Sequence, residues 1–353
     1  MSKARQLADL GNQVDDGAIT GSNMVINGGM TVAQRGTSAT NTTGGGLKTI
    51  DRMRYTRSGF VPSLNHSQST DAPDGFSYSY KVEVATADTI GTSTEYSVID
   101  YNIEAQDLQH LKYGSASAKA VTLSFWVKSN VTGTYAVGIN QHDSSRDISS
   151  TYTVNASGAW EYKTVTFLGD VSGTINNDNG IGLNIEWPMS TGSNFTGGSN
   201  DVWGTADANR WAGHAVSVFE TNSNYWQITG VCLNVGDSAI DFPHESYGDT
   251  LAKCQRYYEQ SYTSLTGSDG KFSAVASTGS NYLQGPTFRV TKRTQPTMLA
   301  HDGISEMDGS TSSLTAGSFN HIGLNGALRL SLGGSGRINA QVYRYHWTAD
   351  AEL

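Results

Sequence analysis

Charged side chains are scarce in this chain. Asp, Glu, Lys and Arg make up 16% of its 353 residues, against roughly 25% in an average globular protein. A helix-rich enzyme is disfavoured, because its surface helices would be dense in Glu and Lys. Cysteine is nearly absent, with only Cys232 and Cys254. Two cysteines do not make a disulfide scaffold at this length, and free thiols are expected of a protein assembled in a reducing cytoplasm. There is no run of about 18 apolar residues, so membrane insertion is not expected. Residues 1–11 carry Lys3 and Arg5 but no apolar stretch, so a secretory signal is not expected either. The net charge is −9 and no basic block stands out, which leaves nucleic acid without an electrostatic footprint. No repeat of fixed period is visible, and no H-E-x-x-H occurs among the eight histidines.

The missing charge is replaced by Gly, Ser, Thr and Asn, with 17 Tyr and 7 Trp. Thr, Tyr and Val fit a pleated surface, and Gly and Asn supply turns. From Met24 onward the punctuation is that of strands. MVINGGMTVAQRGTS alternates around a Gly-Gly turn. In FSYSYKVEVATA, Phe76, Tyr78, Tyr80, Val82 and Val84 share a face. In AVTLSFWVKSN, Val121, Leu123, Phe125 and Val127 share one face and Trp126 takes the other. TYAVGINQHD, WEYKTVTFLGD, GIGLNIEW and NYWQITGVCLNVG continue the series. Many short strands without helical periodicity between them predict an all-β fold, an antiparallel β-sandwich of the jelly-roll kind.

Three regions break the rhythm. Residues 1–24 read as an N-terminal arm, with two helical turns that place Leu7 and Leu10 on one side. Such a short helix does not hold alone, so the arm is expected to order against a partner. Residues 188–215 are too long and Gly-rich for a hairpin, and long loops in compact domains are commonly functional. SYGDTLAKCQRYYEQSY is the best helix in the chain, capped by Asp249, and KFSAVAS, GPTFRVTK, HIGLNGALRLSL and RINAQVYRYHWTAD follow it as further strands. The expected organisation is an arm over 1–24, a sandwich over 25–245, and a junction helix with a smaller C-terminal β-domain over 246–353.

Several of these stretches together resemble a family of phage tail and virion proteins. NGGMTVAQRGTS followed by TIDRMRY is similar to its opening. FSYSYKVEV, VTLSFWVKS, GAWEYKTVTF and WQITGVCLNVGDSA resemble successive strands of carbohydrate-binding jelly-roll modules. FPHESYGDTLAKCQRYYEQSY resembles the junction that follows such a module, and VTKRTQPTM and WTADAEL resemble the C-terminal part. Met53 stands where the family pattern has a bulky aromatic. The resemblance implies a tail fibre, head fibre or capsid decoration located in the virion. It also implies other virion proteins as partners, a homotrimer and a non-enzymatic role. A purely architectural role and glycan degradation are the alternatives. Jelly-roll modules often hold a structural Ca2+, for which the oxygen-rich NNDNG at 176–180 is the candidate. No other cofactor is expected.

Glycan binding is the chemistry that the residues best suggest. A sugar presents an apolar face and a rim of hydroxyls, so its site pairs an aromatic platform with polar hydrogen bonders. The loop at 188–215 offers Trp203 and Trp211 with Asp201, Asp207, Asn209 and Arg210; the same tryptophans would also serve to pack the loop on the sandwich or fill a subunit interface. Trp126, Trp160 and Trp226 sit inside strand patterns and are expected in the core, and Trp187 at a strand end. His142, Asp143, Ser144 and Asp147 read as a polar turn. Glu83, Glu161, Glu186, Asp100 and Asp107 are carboxylates with no pairing visible in sequence, as a glycosidase would need. Arg256, Tyr257 and Tyr258 on the junction helix suit either a subunit interface or packing between domains.

Overall fold

A computed structural model describes residues 23–205, 207–261, 272–275, 282–306, 315–333 and 342–353. Leu7, Leu10 and nearly all of the expected arm lie outside the described residues. The chain divides after residue 246 into two compact units, with residues 34–36 belonging to the second and residue 353 to the first.

The first unit contains β1 (Ser38–Thr42), β2 (Gly46–Leu47), β3 (Arg54–Ser58), β4 (Ser63–Ser69), β5 (Ser79–Thr86), β6 (Tyr96–Glu104), β7 (Val121–Ser129), β8 (Gly133–Gln141), β9 (Arg146–Val154), β10 (Glu161–Phe167), β11 (Ile181–Thr191) and β12 (Tyr225–Val235). Sheet I runs β1-β4-β5-β12-β7-β10 and sheet II runs β2-β3-β6-β11-β8-β9. Every pairing is antiparallel. This is an antiparallel β-sandwich of the jelly-roll kind.

Alternation explains which face is buried. Val121, Leu123, Phe125 and Val127 of β7 point inward with Tyr80, Val82 and Val84 of β5 and Trp226 and Ile228 of β12. They meet Tyr101, Ile139, Ile185 and Trp187 of sheet II. Trp187 lies inside β11 rather than at its end. Its ring stands edge-on to Phe125 at 5.9 Å and 6.3 Å from Trp226, so three large rings cross the interlayer.

The alternating run from Met24 does not form a hairpin. The Asn27 amide donates to Val32 O at 2.9 Å and Asp51 O at 3.1 Å, and its oxygen accepts from Val32 N. Asn23 does the same to β12, donating to Val231 O at 2.7 Å and accepting from Leu233 N at 2.9 Å. Side-chain amides thus take the place of a ladder, which is how Asn competes with regular structure. GPTFRVTK likewise forms no strand beyond a bridge between Thr287 and Gly326.

The second unit holds the helix α1 (Tyr247–Gln255) and the strands β13 (Tyr258–Gln260), β14 (Phe272–Val275), β15 (Tyr282–Gln284), β16 (Thr297–Glu306), β17 (Thr315–Gly323), β18 (Gly326–Gly333) and β19 (Val342–Asp350). β19 pairs with β13, β14 and β16, and β18 lies between β15 and β17. Leu283, Leu330, Tyr343, Tyr345 and Trp347 form its core. The helix ends before Arg256, so Arg256, Tyr257 and Tyr258 are not helical. Both tyrosines are buried inside this unit. Tyr257 O accepts from Ala351 N at 2.7 Å, and the Arg35 guanidinium lies 3.6 Å over the Tyr258 ring. These rings therefore pack their own unit and present no free aromatic surface to a second subunit.

Candidate functional site

The loop between β11 and β12 does not project. It folds back as a strap across the outer face of sheet II. Gly204 exchanges both backbone bonds with Asp147 at 2.8 and 2.9 Å, Asp201 N donates to Ser149 O at 2.7 Å, and Ser149 Oγ donates to Asn209 O at 2.7 Å. Gly138 on β8 lets it lie close, since a Cβ there would come within 2.5 Å of Arg210 O. Trp211 is 0% exposed and packs with Val98, Ala136 and Phe195. Its Nε1 donates to Glu186 Oε2 at 3.0 Å. Arg210 grips the same carboxylate with two bonds, its Nε at 2.8 Å. Trp211 and Arg210 are therefore fastening groups, which corrects the expectation that they form a sugar platform. The Asn209 side chain accepts from Ser199 N at 2.9 Å within the strap, and Asp207 opens a short 3-10 turn at its exposed surface. Trp203 is half-buried, with its Nε1 donating to Leu168 O at 2.6 Å and its ring against Tyr113. Trp203→Phe keeps an aromatic side chain but loses this bond and part of the packing on Tyr113; a loss of at least about 0.5–1.5 kcal/mol is expected in urea unfolding.

In sheet II, folding joins carboxylates that the sequence left apart. Glu186 of β11 lies directly opposite Asp100 of β6. Like charges in that register repel, and each is offset by its own arginine: Arg210 for Glu186, and Arg54 for Asp100, with Nε at 2.8 Å. Asp100 also accepts from Thr56 Oγ1 and Asn184 Nδ2. Burial raises the Asp100 carboxyl above its usual range while Arg54 pulls it back. Burial likewise pushes Asp147 up to about 6, and Glu186 adds to the rise. Both members of the opposed pair are buried and hydrogen-bonded, so the arrangement holds their charge within the fold.

The other polar candidates close on themselves. His142–Ser144 is a single 3-10 turn whose Asp143 accepts from Asn176 N and Nδ2. In NNDNG the single carboxylate, Asp178, accepts from Gly180 N at 2.8 Å. A Ca2+ site needs six to eight oxygens, and these residues do not fit one. Among the described residues, no group of three or more His, Cys, Asp or Glu is placed to hold a metal ion.

An open aromatic surface lies instead on the outer face of sheet I. Because β7 turns Phe125 and Val127 inward, Trp126 and Lys128 point outward. Register sets Tyr162 of β10 beside Trp126 with ring centroids 5.4 Å apart, and Tyr162 is 46% exposed. On the other side, β12 bulges between Thr229 and Cys232. Gly230 there has φ +63, and a Cβ would meet Phe76 Cζ at 2.7 Å and Trp126 Cδ1 at 3.1 Å. Glycine thus allows Phe76 to approach Trp126, and Phe76 continues to Phe242 and His244 at 5.0–5.2 Å. A polar row runs alongside. Asp71 accepts from Lys128 Nζ at 2.7 Å, Trp160 Nε1 at 3.1 Å and Gln227 Nε2 at 3.4 Å. Burial works against the Asp71 charge, but hydrogen bonds from Lys128 and Trp160 outweigh it and hold the carboxyl below its usual range. Trp226 is in the core as expected, whereas Trp126 and Trp160 are half-exposed. The signal for Trp126 was in the alternation, which already set it opposite the apolar face.

No protein-family model matches the chain, and no curated protein is significantly similar to it. Among solved structures, the enzymatically active domain of bacteriophage CBA120 tailspike protein 4 is 12% identical, with a TM-score of 0.31 over 60% of this chain; the chain spans 21% of that structure. The family 11 carbohydrate-binding module of a cellulosomal cellulase from Clostridium thermocellum is 11% identical (TM-score 0.28), covering 56% of this chain and 94% of that one. TmCBM61, solved with β-1,4-galactotriose, is 8% identical (TM-score 0.27), covering 61% and 99%.

Proposed function

We propose that this protein is a non-enzymatic structural component of a bacteriophage particle, a tail fibre or related appendage, whose sandwich binds a host surface glycan. The observation that carries the glycan reading is the pairing of open Trp126 and Tyr162 rings with the Asp71-centred polar row on one sheet face. Rings bind the apolar face of a sugar and planar donors and acceptors bind its rim. The particle assignment is supported by the sequence resemblance of the opening, the strand series and the junction to phage virion proteins. A non-enzymatic role is supported by the burial of Asp100 and Glu186, each paired with its own arginine. In this reading residues 1–24 anchor the chain to other virion proteins, the assembly is a homotrimer, and weak contacts sum through multivalency.

An architectural reading, as capsid decoration or head fibre, is favoured by exposed Leu168, Val171 and Val202 around the Trp203–Leu168 hydrogen bond, which suit a subunit contact. Immunogold microscopy of intact particles separates the two. Label at tail tips or projecting fibres, with adsorption reduced by Tyr162→Ala, is the expected result. Label spread over the head with normal adsorption would establish the architectural role, and unlabelled particles would end the virion assignment.

A further inference from the structure

We propose that the C-terminal end of the strap, residues 214–219, is an acid-released latch. It closes the gap between β8 and β11 through the His214 imidazole, and protonation of that ring frees it while the Asp147–Gly204 end of the strap stays in place.

The gap comes from the strands themselves. β8 and β11 pair from Leu183–Gln141 to Glu186–Gly138 and no further. Pro188 follows on β11, with no N–H to extend a ladder. Residues 214–219 fill the space instead. Ala215 N donates to Thr134 O at 3.0 Å, and Val218 N donates to Met189 O at 2.8 Å. Two further bonds end on side chains: Ala136 N donates to His214 Nδ1 at 3.1 Å, and Phe219 N donates to Ser190 Oγ at 3.0 Å. Val216 seats against Gly133, where a Cβ would come within 2.7 Å of its Cγ1.

A backbone N–H can only donate. The bond from Ala136 therefore exists only while Nδ1 keeps its lone pair, which puts the proton of the neutral ring on Nε2. A second proton, at Nδ1, sets N–H against N–H. His214 is 7% exposed and its Nε2 has no hydrogen-bond partner, so the cation would be desolvated without compensation. Burial accordingly lowers the His214 pKa from an ordinary 6.5 to about 4, with the Val216 backbone acting in the opposite direction; no charged side chain contributes. From β8, Tyr135 stands edge-on to the ring at 5.9 Å; its hydroxyl donates to Val131 O, and burial pushes it up to about 12, so it stays neutral. Arg210 of the strap and Glu186 of β11 are bonded to each other, and Asp147 of β9 accepts from Asn140. The closed latch binds the His214 proton more weakly than the open one. Its contribution to closure is complete above about pH 6.5 and is lost as pH falls through 4. The Asp147–Gly204 end has the opposite sign: the Asp147 carboxyl is raised to about 6, so acid holds that end more tightly.

Hydrogen–deuterium exchange of the full chain between pH 7 and pH 4, normalised for intrinsic exchange rates, tests this. Peptides over 133–137 and 214–219 are expected to lose protection about 100-fold, the change in opening equilibrium that a fall in pKa from 6.5 to about 4 gives over that range. Peptides over 146–149 and 201–204 are expected to keep theirs. His214→Asn places an amide oxygen near the Nδ1 position and does not titrate, so its 133–137 protection is expected to be flat with pH. Protection at 214–219 that does not change with pH would overturn the proposal. So would loss at both ends of the strap together, which would mean that the unit opens as a whole, or a variant profile that follows the wild type. Should the variant fail a melting check, the comparison of the two ends in the wild type decides alone.

Discussion

Lys292→Ala is expected to destabilise the second unit by about 3–5 kcal/mol, the usual cost of removing one partner from a buried ion pair. The Lys292 and Glu259 side chains are both 0% exposed. Lys292 Nζ spends its donors on Glu259 Oε2 at 2.5 Å, Gln255 O at 2.6 Å and Val290 O at 3.0 Å. Burial lowers the Lys292 pKa from its ordinary value, and the Glu259 carboxylate acts in the opposite direction. Alanine removes the cation and leaves two carbonyls and a desolvated carboxylate behind. Glu259 keeps the Arg289 backbone N–H at 3.1 and 3.2 Å and a 3.5 Å contact with the Arg289 guanidinium, which is mostly exposed and offsets little. Replacing both partners, Lys292→Met with Glu259→Leu, is expected to cost less, because it leaves no unpaired charge in the core, although the Gln255 and Val290 carbonyls and the Arg289 N–H lose their partners. Urea unfolding of the wild type, the single and the double variant checks this. A single variant within 1 kcal/mol of wild type would show that the pair is not buried in solution.

How much of this was legible in the sequence depended on whether the relevant signal was local. The strands were, because a two-residue period is a property of consecutive positions: β7 turns inward the four residues that alternation selects. The sandwich class follows from many such runs. Strand order was not legible, since sheet II brings β11 between β6 and β8, pairings set by packing across long stretches of chain. Met24–Gln34 misled because its alternation is real, but two asparagine side chains take the hydrogen bonds that a partner strand would have taken.

The burial of Trp211 and Arg210 was hidden from the sequence for a related reason. A Gly-rich segment with Trp203, Trp211, Asp207, Asn209 and Arg210 has the composition of a projecting binding loop. What buries it is Glu186, an outward-facing carboxylate on a strand that reads as ordinary, and no local pattern connects the two. Conversely, Trp126 was set aside because tryptophans in strands favour the core. The alternation had already assigned it to the outer face; what it could not say was that Tyr162 of β10 would stand beside it, 46% exposed. The Asp71–Lys128–Trp160–Gln227 cluster draws on four separate segments and exists only after folding.

The strap also carries a pH dependence of definite sign. Asp147→Asn is expected to stabilise the first unit at pH 7 by up to about 3 kcal/mol and to change little below pH 4. The Asp147 carboxyl is raised to about 6 from an ordinary 3.8. Burial between β9 and the strap is the main cause; Glu186 and Asp207 add to it, while Asn140 and Arg210 act against it. The gap, at about 1.4 kcal/mol per pH unit, corresponds to roughly 3 kcal/mol. The folded chain binds this proton more tightly than the unfolded chain, so its contribution favours folding below about pH 4 and is lost as pH rises towards 6. Asparagine mimics the protonated form. It keeps an oxygen to accept from Asn140 Nδ2, which now bonds Asp147 Oδ1 at 2.8 Å, and leaves the Asp147–Gly204 backbone bridge untouched. Wild-type and variant stabilities measured by urea unfolding should therefore converge in acid and separate across pH 4–6, with the variant above. Parallel curves over that window would mean that Asp147 titrates normally and that water reaches it beneath the strap. Divergence would show that the Asp147 carboxyl is desolvated beneath the strap at neutral pH.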